Sequence, residues 1–157
     1  MTNINYRIKI FSGYTLIELL VVISVIAILL GLSLFSIDAA RKSSRDSRRR
    51  ADLELIRSAL ELYKADCNVY PSSITFGGSL SGGGVGVPAT CGVGNTYMSS
   101  IPLDPKNPAR LYIYNRGLTA TTYELCSALE QTSGTATCGG GGICGTGVTC
   151  NYKVTNP

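Results

Sequence analysis

The dominant feature of the hydropathy pattern is an uncharged apolar block near the N-terminus. Leu19–Ile37 contains 19 consecutive residues without a charge. As an α-helix this block would extend about 28 Å, close to the ~30 Å hydrocarbon core of a bilayer. A buried core helix of that length normally keeps a polar face, and this block has none. We therefore expect a membrane-spanning helix.

A cleaved secretory signal is the alternative interpretation of the block, with Arg7 and Lys9 as its positively charged start. The block is longer than the usual apolar region of a signal peptide, and Glu18 stands at its beginning. A carboxylate near the bilayer core costs free energy unless it is paired. The pattern therefore favours a retained helix in which Glu18 has a partner.

The helix is expected to continue beyond the membrane. No proline occurs between Met1 and Tyr70, so a single helix can run from Tyr14 to about Asp66. From Asp38 onward the pattern becomes amphipathic, which predicts that the second half packs on a small domain. Its apolar stripe is Leu53, Ile56, Leu60 and Tyr63, widened by Leu55, Ala59 and Leu62. Its predicted helical ion pairs are Asp38–Lys42, Asp46–Arg50 and Glu61–Lys64.

The rest of the chain is rich in turns and short strands. Leu111–Asn115 and Thr122–Leu129 predict an antiparallel hairpin, and Thr149–Val154 a third strand. Glycine-rich loops lie at 77–94 and 134–147. The expected fold class is α+β, with a long N-terminal α-helix, a small antiparallel β-sheet and glycine-rich loops.

Composition excludes several kinds of chemistry. The chain has 14 Lys and Arg against 10 Asp and Glu, a net charge of +4, and no His or Trp. The absence of His excludes His-based catalysis and His metal ligands. No G-K-[ST] or G-x-G-x-x-G phosphate loop is present, nor a nucleophile elbow or a cluster of carboxylates. We expect neither a nucleotide-binding protein nor an enzyme.

One stretch of the helix is strongly basic. Residues 41–50 carry a net charge of +5, since only Asp46 offsets the cations. These cations are Arg41, Lys42, Arg45, Arg48, Arg49 and Arg50. The favoured interpretation is a solvated helix neck above the membrane; contact with anionic lipid and a DNA-uptake surface are the alternatives. No aromatic residues interleave to stack on bases, so no specific nucleic acid is expected as a partner.

The six cysteines all follow the apolar block. Without His, and without a C-x-x-C pair, they fit a zinc site poorly and are expected to form disulfides in an oxidising compartment. Fifteen pairings are possible. We expect Cys67–Cys91, which would pin the first glycine-rich loop to the end of the helix, and favour Cys126–Cys150 with Cys138–Cys144.

Two signals disagree on orientation in the membrane. The positive-inside rule would place the basic stretch in the cytoplasm, because its charge exceeds that of Arg7 and Lys9. The cysteines place the same side outside the cell or in the periplasm. We give the cysteines the greater weight.

The residues around Glu18 resemble the N-terminus of type IV pilins and type II secretion pseudopilins. Gly13-Tyr14-Thr15-Leu16-Ile17-Glu18 follows a short basic leader and precedes the apolar run, with Tyr in place of the usual Phe. The resemblance implies that a prepilin peptidase cuts between Gly13 and Tyr14, and that the new amine of Tyr14 is N-methylated. It also implies that Glu18 pairs with the Tyr14 amine of a neighbouring subunit during assembly.

The resemblance is closest to the major pseudopilin branch. Leu60–Pro71 resembles that branch's helix end and Tyr-Pro turn, while Tyr97–Pro105, Tyr112–Tyr114 and Tyr123–Leu125 resemble its loop and hairpin. Many major pseudopilins bind calcium through carboxylates in the tail. This chain has no Asp or Glu after Glu130, so we expect no cofactor, with calcium as the disfavoured alternative.

The resemblance implies four segments: a removed leader at 1–13, a transmembrane and assembly helix at 14–37, its amphipathic continuation at 38–66, and a periplasmic or extracellular globular domain at 67–157. The expected function is that of a filament subunit, namely a major pseudopilin of a type II secretion system. The alternatives are a type IV pilin for adhesion, motility or DNA uptake, and a single-span surface protein that does not assemble.

The resemblance also implies the partners and the location. Expected partners are copies of the same chain joined through their N-terminal helices, the prepilin peptidase, an inner-membrane assembly platform with other pilins or pseudopilins, and membrane lipid. The expected location is the cytoplasmic (inner) membrane, crossed once, followed by a periplasmic or cell-surface filament.

Overall fold

The computed structural model describes residues 13–83, 91–139 and 141–156, with the side chains of 33–36 excepted. Residues 1–12 of the predicted leader (1–13), including Arg7 and Lys9, lie outside this range. The chain divides into two units, Met1–Ala40 and Arg41–Pro157. The second half of the predicted helix therefore belongs to the same unit as the sheets.

The first element is the predicted long helix, α1, Leu16–Cys67, with 52 residues. It starts two residues after the expected Tyr14 and ends one residue after the expected Asp66. Asn68 follows it with a φ of 59°, and its N–H donates to the Lys64 carbonyl at 2.7 Å. A residue in the left-handed conformation is a common helix terminator, and Asn adopts that conformation more readily than most residues.

The N-terminal unit consists of the apolar part of α1. The described large apolar side chains of this part are exposed, and α1 contains an 18-residue window that is long and apolar enough to cross a membrane. The Ser24 hydroxyl donates to the Val21 carbonyl at 2.7 Å, so this polar group is satisfied within the helix. By length and composition, this segment supports single-pass anchoring in a membrane.

The second unit adds two small antiparallel sheets. β1 (Leu80–Ser81) pairs with β2 (Thr96–Met98), while β3 (Ile113–Arg116), β4 (Tyr123–Ser127) and β5 (Tyr152–Thr155) form a sheet in the order β3-β4-β5. The predicted hairpin is β3–β4, and the predicted third strand is β5. The first sheet was not predicted, because strands of two and three residues carry no readable alternation.

The core of this unit lies between α1 and the three-stranded sheet. The predicted stripe is confirmed, because Leu53, Ile56, Leu60 and Tyr63 are buried in one cluster with Leu125 of β4. The α+β class is confirmed with it.

The predicted widening of the stripe is only partly correct. Ala59 is buried, but Leu55 and Leu62 are 58% and 59% exposed. Each of these leucines follows a core residue by two positions, which turns its side chain about 200° around the helix. Both therefore lie on the face of α1 opposite the core.

The predicted Glu61–Lys64 ion pair is replaced by contacts with Tyr70. The Tyr70 hydroxyl donates to Glu61 Oε1 at 2.9 Å, and Lys64 Nζ lies 4.8 Å from the centre of the Tyr70 ring. Burial raises the pKa of Tyr70, and the hydrogen bond to Glu61 raises it further. The phenol therefore remains a hydrogen-bond donor at neutral pH and fastens the turn after α1 to the helix.

Candidate functional site

The first described residues form a capped helix start. Gly13, Tyr14 and Thr15 are not helical. The Thr15 side-chain oxygen accepts a hydrogen bond from the Glu18 backbone N–H at 3.3 Å, and the Leu19 N–H donates to the Thr15 carbonyl at 3.2 Å. Thr15 is thus the N-cap of α1 and Glu18 is its third helical residue. The interpretation of the sequence missed this role, although Thr-x-x-Glu before an apolar run is the signature of a capping box.

Tyr14 and Glu18 face the same side of the chain. They line a shallow groove of about 300 Å³ together with Leu19 and Val22. Tyr14 is 83% exposed, and Glu18 is exposed as well. Across residues 13–83, 91–139 and 141–156, no basic side chain forms an ion pair with Glu18. The structure therefore brings the two predicted residues together and leaves the carboxylate available to a partner from outside the described chain.

The basic stretch contributes to a buried ion cluster in the second unit. Arg49 lies at its centre, with no exposed side-chain surface, and donates to Asp104 Oδ2 at 2.7 Å, to Asp46 Oδ1 at 2.7 Å and to Glu130 Oε1 at 3.0 Å. Glu130 is also paired with Arg45 at 2.7 Å and with Lys106 at 2.9 Å. Three cations thus meet three carboxylates, so the cluster is neutral as a whole.

The cluster also holds backbone groups. Asp46 accepts the backbone N–H groups of Glu130 and Gln131 at 2.8 and 2.9 Å, and Asp104 accepts that of Lys106 at 2.7 Å. The loop after β4 and the loop before β3 are therefore both fastened to α1. Buried charges are tolerated when they are paired and hydrogen-bonded, as these are.

The cluster shifts the pKa values of its members in opposite directions. Burial alone would lower the pKa of Arg49, but hydrogen bonds to Asp104 and Glu130 outweigh burial and raise it. The hydrogen bond from Arg45, with those from Lys106 and Arg49, holds the pKa of Glu130 far below its ordinary value. Each partner keeps the other charged.

This cluster corrects two predictions about the basic stretch. A solvated neck describes Arg41 and Arg48, which are exposed, but it is wrong for Arg49, whose guanidinium is buried. The predicted Asp46–Arg50 pair is also wrong, because Asp46 binds Arg49 instead. Arg50 lies 5.8 Å from the centre of the Tyr152 ring.

All six cysteines form disulfides, and two predicted pairings are wrong. Cys67 is joined to Cys91, as expected. The other bonds are Cys126–Cys138 and Cys144–Cys150, in place of the favoured Cys126–Cys150 and Cys138–Cys144. The Cys144–Cys150 hairpin is closed by pairing of Ile143 with Thr149, and its sulfurs pack beside Cys126–Cys138 in a second buried cluster. The sequence lacked a readable signal for this hairpin, because 144–150 is short and shows no regular apolar–polar alternation.

The carboxylates of the ion cluster are directed at guanidinium and ammonium groups. Among the described residues, no group of three or more Asp, Glu, Cys or His side chains has the arrangement of a metal site. The first unit presents a capped, apolar helix start whose carboxylate has no ion-pair partner among the described residues. The second unit is a disulfide-linked domain with an internal ion cluster.

Comparison with known proteins identifies one segment of the chain. Residues 9–34 match the family described as the prokaryotic N-terminal methylation motif. The matched segment contains Gly13, Tyr14, Thr15 and Glu18 and most of the apolar block, and it supports a likeness to type IV pilins and pseudopilins. No curated protein and no solved structure matches the chain.

Proposed function

Because residues 9–34 carry the N-terminal methylation motif, we propose that this protein is a structural subunit of a pilin-like filament. The observation that carries the proposal is the placement of Glu18, an exposed carboxylate without a basic partner in the described chain, at the start of an apolar helix. A single-span anchor needs no intermolecular partner for this charge. In a filament, by contrast, a charge among packed helices requires an opposite charge in register.

The partner proposed for Glu18 is the amine of Tyr14 on a neighbouring copy. Cleavage between Gly13 and Tyr14 by a prepilin peptidase creates this amine, and N-methylation leaves it positively charged. The next cation along the chain is Arg41, 23 residues and roughly 35 Å further along a helix. Since each charge is costly alone in an apolar surrounding, their pairing selects one axial stagger between neighbouring helices.

The more specific proposal is a major pseudopilin of a type II secretion system, with a structural rather than catalytic role. The resemblance of Leu60–Pro71 and Tyr97–Pro105 to that branch supports it. In this proposal the subunit waits in the inner membrane with its second unit in the periplasm, and an assembly platform adds it to the filament. Three disulfides within that unit support an oxidising compartment.

The test is the Glu18→Gln variant. Gln serves as well as Glu at the third position of a capping box, so this change removes the charge and keeps the local helix start. We expect normal membrane insertion, cleavage and disulfide formation but a loss of filaments, because the amine is left buried and unpaired at a cost of about 3–5 kcal/mol per contact. Glu18→Asp should give an intermediate yield, since it keeps the charge on a shorter side chain.

Filament yield is scored by shearing and electron microscopy, with the membrane-bound monomer quantified in parallel. Glu54→Gln is the matched control, because Glu54 is an exposed carboxylate on the same helix. A normal filament yield from Glu18→Gln would overturn the proposed pairing. A wild-type chain that keeps its leader and forms no filaments would instead support a non-assembling surface protein.

A further inference from the structure

The bond that the proposed peptidase cuts lies in a non-helical segment, directly before the point where α1 begins. Gly13, Tyr14 and Thr15 are outside the helix, and the first helical residue is Leu16. We propose that Thr15 is a positioning residue for this cleavage, because its side chain stops the helix short of the Gly13–Tyr14 bond. This inference rests on the proposed function, of which processing is a part.

The argument depends on which acceptor receives the Glu18 N–H. In a helix that continued upstream, this N–H would donate to the carbonyl of Tyr14, four residues earlier, and the Ile17 N–H would donate to the carbonyl of Gly13. The Gly13 carbonyl belongs to the bond that is cut. In the structure the Glu18 N–H donates to the Thr15 side-chain oxygen instead. The cap therefore competes directly with the hydrogen bonds that would draw the scissile bond into the helix.

A helical scissile bond is a poor substrate for a peptidase. Enzymes that bind peptides in an extended form use the main-chain N–H and C=O groups of the substrate for recognition. A carbonyl that accepts a helical hydrogen bond is not available for this purpose. Keeping Gly13 and Tyr14 out of the helix leaves both carbonyls accessible before any enzyme arrives.

The upstream sequence does not forbid the longer helix by itself. Proline is absent there, and Ser12 is a residue type that caps helices well, so a helix starting at Gly13 would have its own cap. Gly13 disfavours that helix through its low helix propensity. Loss of the Thr15 cap should shift the balance toward the longer helix about fivefold, which is the equivalent of the ~1 kcal/mol typical of an N-cap.

The test separates capping from side-chain shape. Thr15→Val keeps the shape and removes the hydroxyl, whereas Thr15→Ser and Thr15→Asn keep an N-cap acceptor on differently shaped side chains. Each full-length precursor is purified in detergent and incubated with the peptidase at a concentration below KM. The rate of appearance of N-terminal Tyr14 is followed by mass spectrometry. Backbone amide hydrogen exchange of the uncut precursor reports where the helix begins.

We expect kcat/KM for Thr15→Val to fall by up to about fivefold, the limit set by the shift in the helix equilibrium, with slower exchange of the Ile17 amide as the helix extends. Thr15→Ser and Thr15→Asn should stay within about twofold of the wild type, because both retain a cap. Adding Ser12→Ala to Thr15→Val removes the competing upstream cap and should restore part of the rate. This rescue would not occur if Thr15 affected only the overall stability of the precursor.

Two results would overturn the inference. One is a cleavage rate of Thr15→Val equal to that of the wild type. The other is a rate of Thr15→Asn as low as that of Thr15→Val, which would mean that the enzyme recognises side-chain shape. Failure of the proposed function has a different signature, since the wild-type precursor itself would then not be cut between Gly13 and Tyr14.

Discussion

Arg49 and Asp104 form a bidentate ion pair in which both side chains are shielded from solvent. Arg49 Nε lies 2.7 Å from Asp104 Oδ2, Arg49 Nη2 lies 3.1 Å from Asp104 Oδ1, and neither side chain has any exposed surface. The pair joins α1 to a loop 55 residues later in the chain. Such a fork-to-fork arrangement fixes distance and angle together, so it determines where the loop lies on the helix as well as holding it there.

The first prediction concerns the centre of this cluster. Arg49→Met leaves Asp46, Asp104 and Glu130 buried without their shared cation, and we expect the free energy of unfolding to fall by about 3–5 kcal/mol. Denaturant unfolding of the full chain in detergent, followed by tyrosine fluorescence, measures this loss. Arg57→Gln is the control, because Arg57 forms an exposed pair with Glu54 at 3.5 Å and should change stability by less than about 1 kcal/mol. Equal losses in the two variants would contradict a structural role for the cluster.

The second prediction concerns acid stability. Hydrogen bonds from Arg45, Lys106 and Arg49 hold the pKa of Glu130 well below its ordinary value of 4.5. Because the folded pKa is the lower one, the unfolded chain binds the proton first as pH falls, so this carboxylate stabilises the fold fully above about pH 5 and progressively less below it. Glu130→Gln should therefore be clearly destabilised at pH 7, and the difference from the wild type should shrink between pH 4.5 and pH 2.

Denaturation midpoints measured at several pH values between 7 and 2 provide the test, with Glu54→Gln as the exposed control. A stability difference between Glu130→Gln and the wild type that stays constant over this range would show that Glu130 acts through packing rather than charge.

The ion cluster shows which features of the fold could be predicted from the sequence and which could not. Periodicity predicted α1, the β3–β4 hairpin and β5, because each depends on residues that are close in sequence. Two of the three carboxylate partners of Arg49 lie 55 and 81 residues away, so in the sequence alone Arg49 looked like any other cation of a solvated run. Tertiary partners decided its burial, and no local pattern encodes them.

The N-cap role of Thr15 was missed for a different reason. Thr15 and Glu18 are a local signal, but Glu18 was interpreted only as a carboxylate awaiting a partner. The N-cap bond from the Glu18 N–H to the Thr15 side-chain oxygen links the same two residues within one chain. One residue can serve both purposes, since its backbone N–H binds the cap while its side chain remains exposed.

The third prediction concerns the disulfides. Cys138→Ser should leave Cys126 as a single free thiol and leave Cys144–Cys150 intact, because the two bonds are separate. The loss of the bond should reduce stability by about 3 kcal/mol on the chain-entropy model for a closed loop of this length. Peptide mapping without reduction identifies the bonds of both proteins. A peptide that links Cys126 to Cys150 in the wild type would contradict the structure.

The order of the cysteines bears on how such a chain would mature during export. Each cysteine is joined to the next one along the chain: the first to the second, the third to the fourth and the fifth to the sixth. In the proposed topology the part of the chain after the membrane helix is exported, and if it emerges in N-to-C order its thiols are exposed in that same sequence. Oxidation of each newly arrived pair would produce the native connectivity directly, whereas bonding of Cys126 to Cys150 would require the chain to pass over two intervening thiols. In-order oxidation in the proposed compartment would need an oxidase, and no step of it would need an enzyme that reshuffles mispaired bonds.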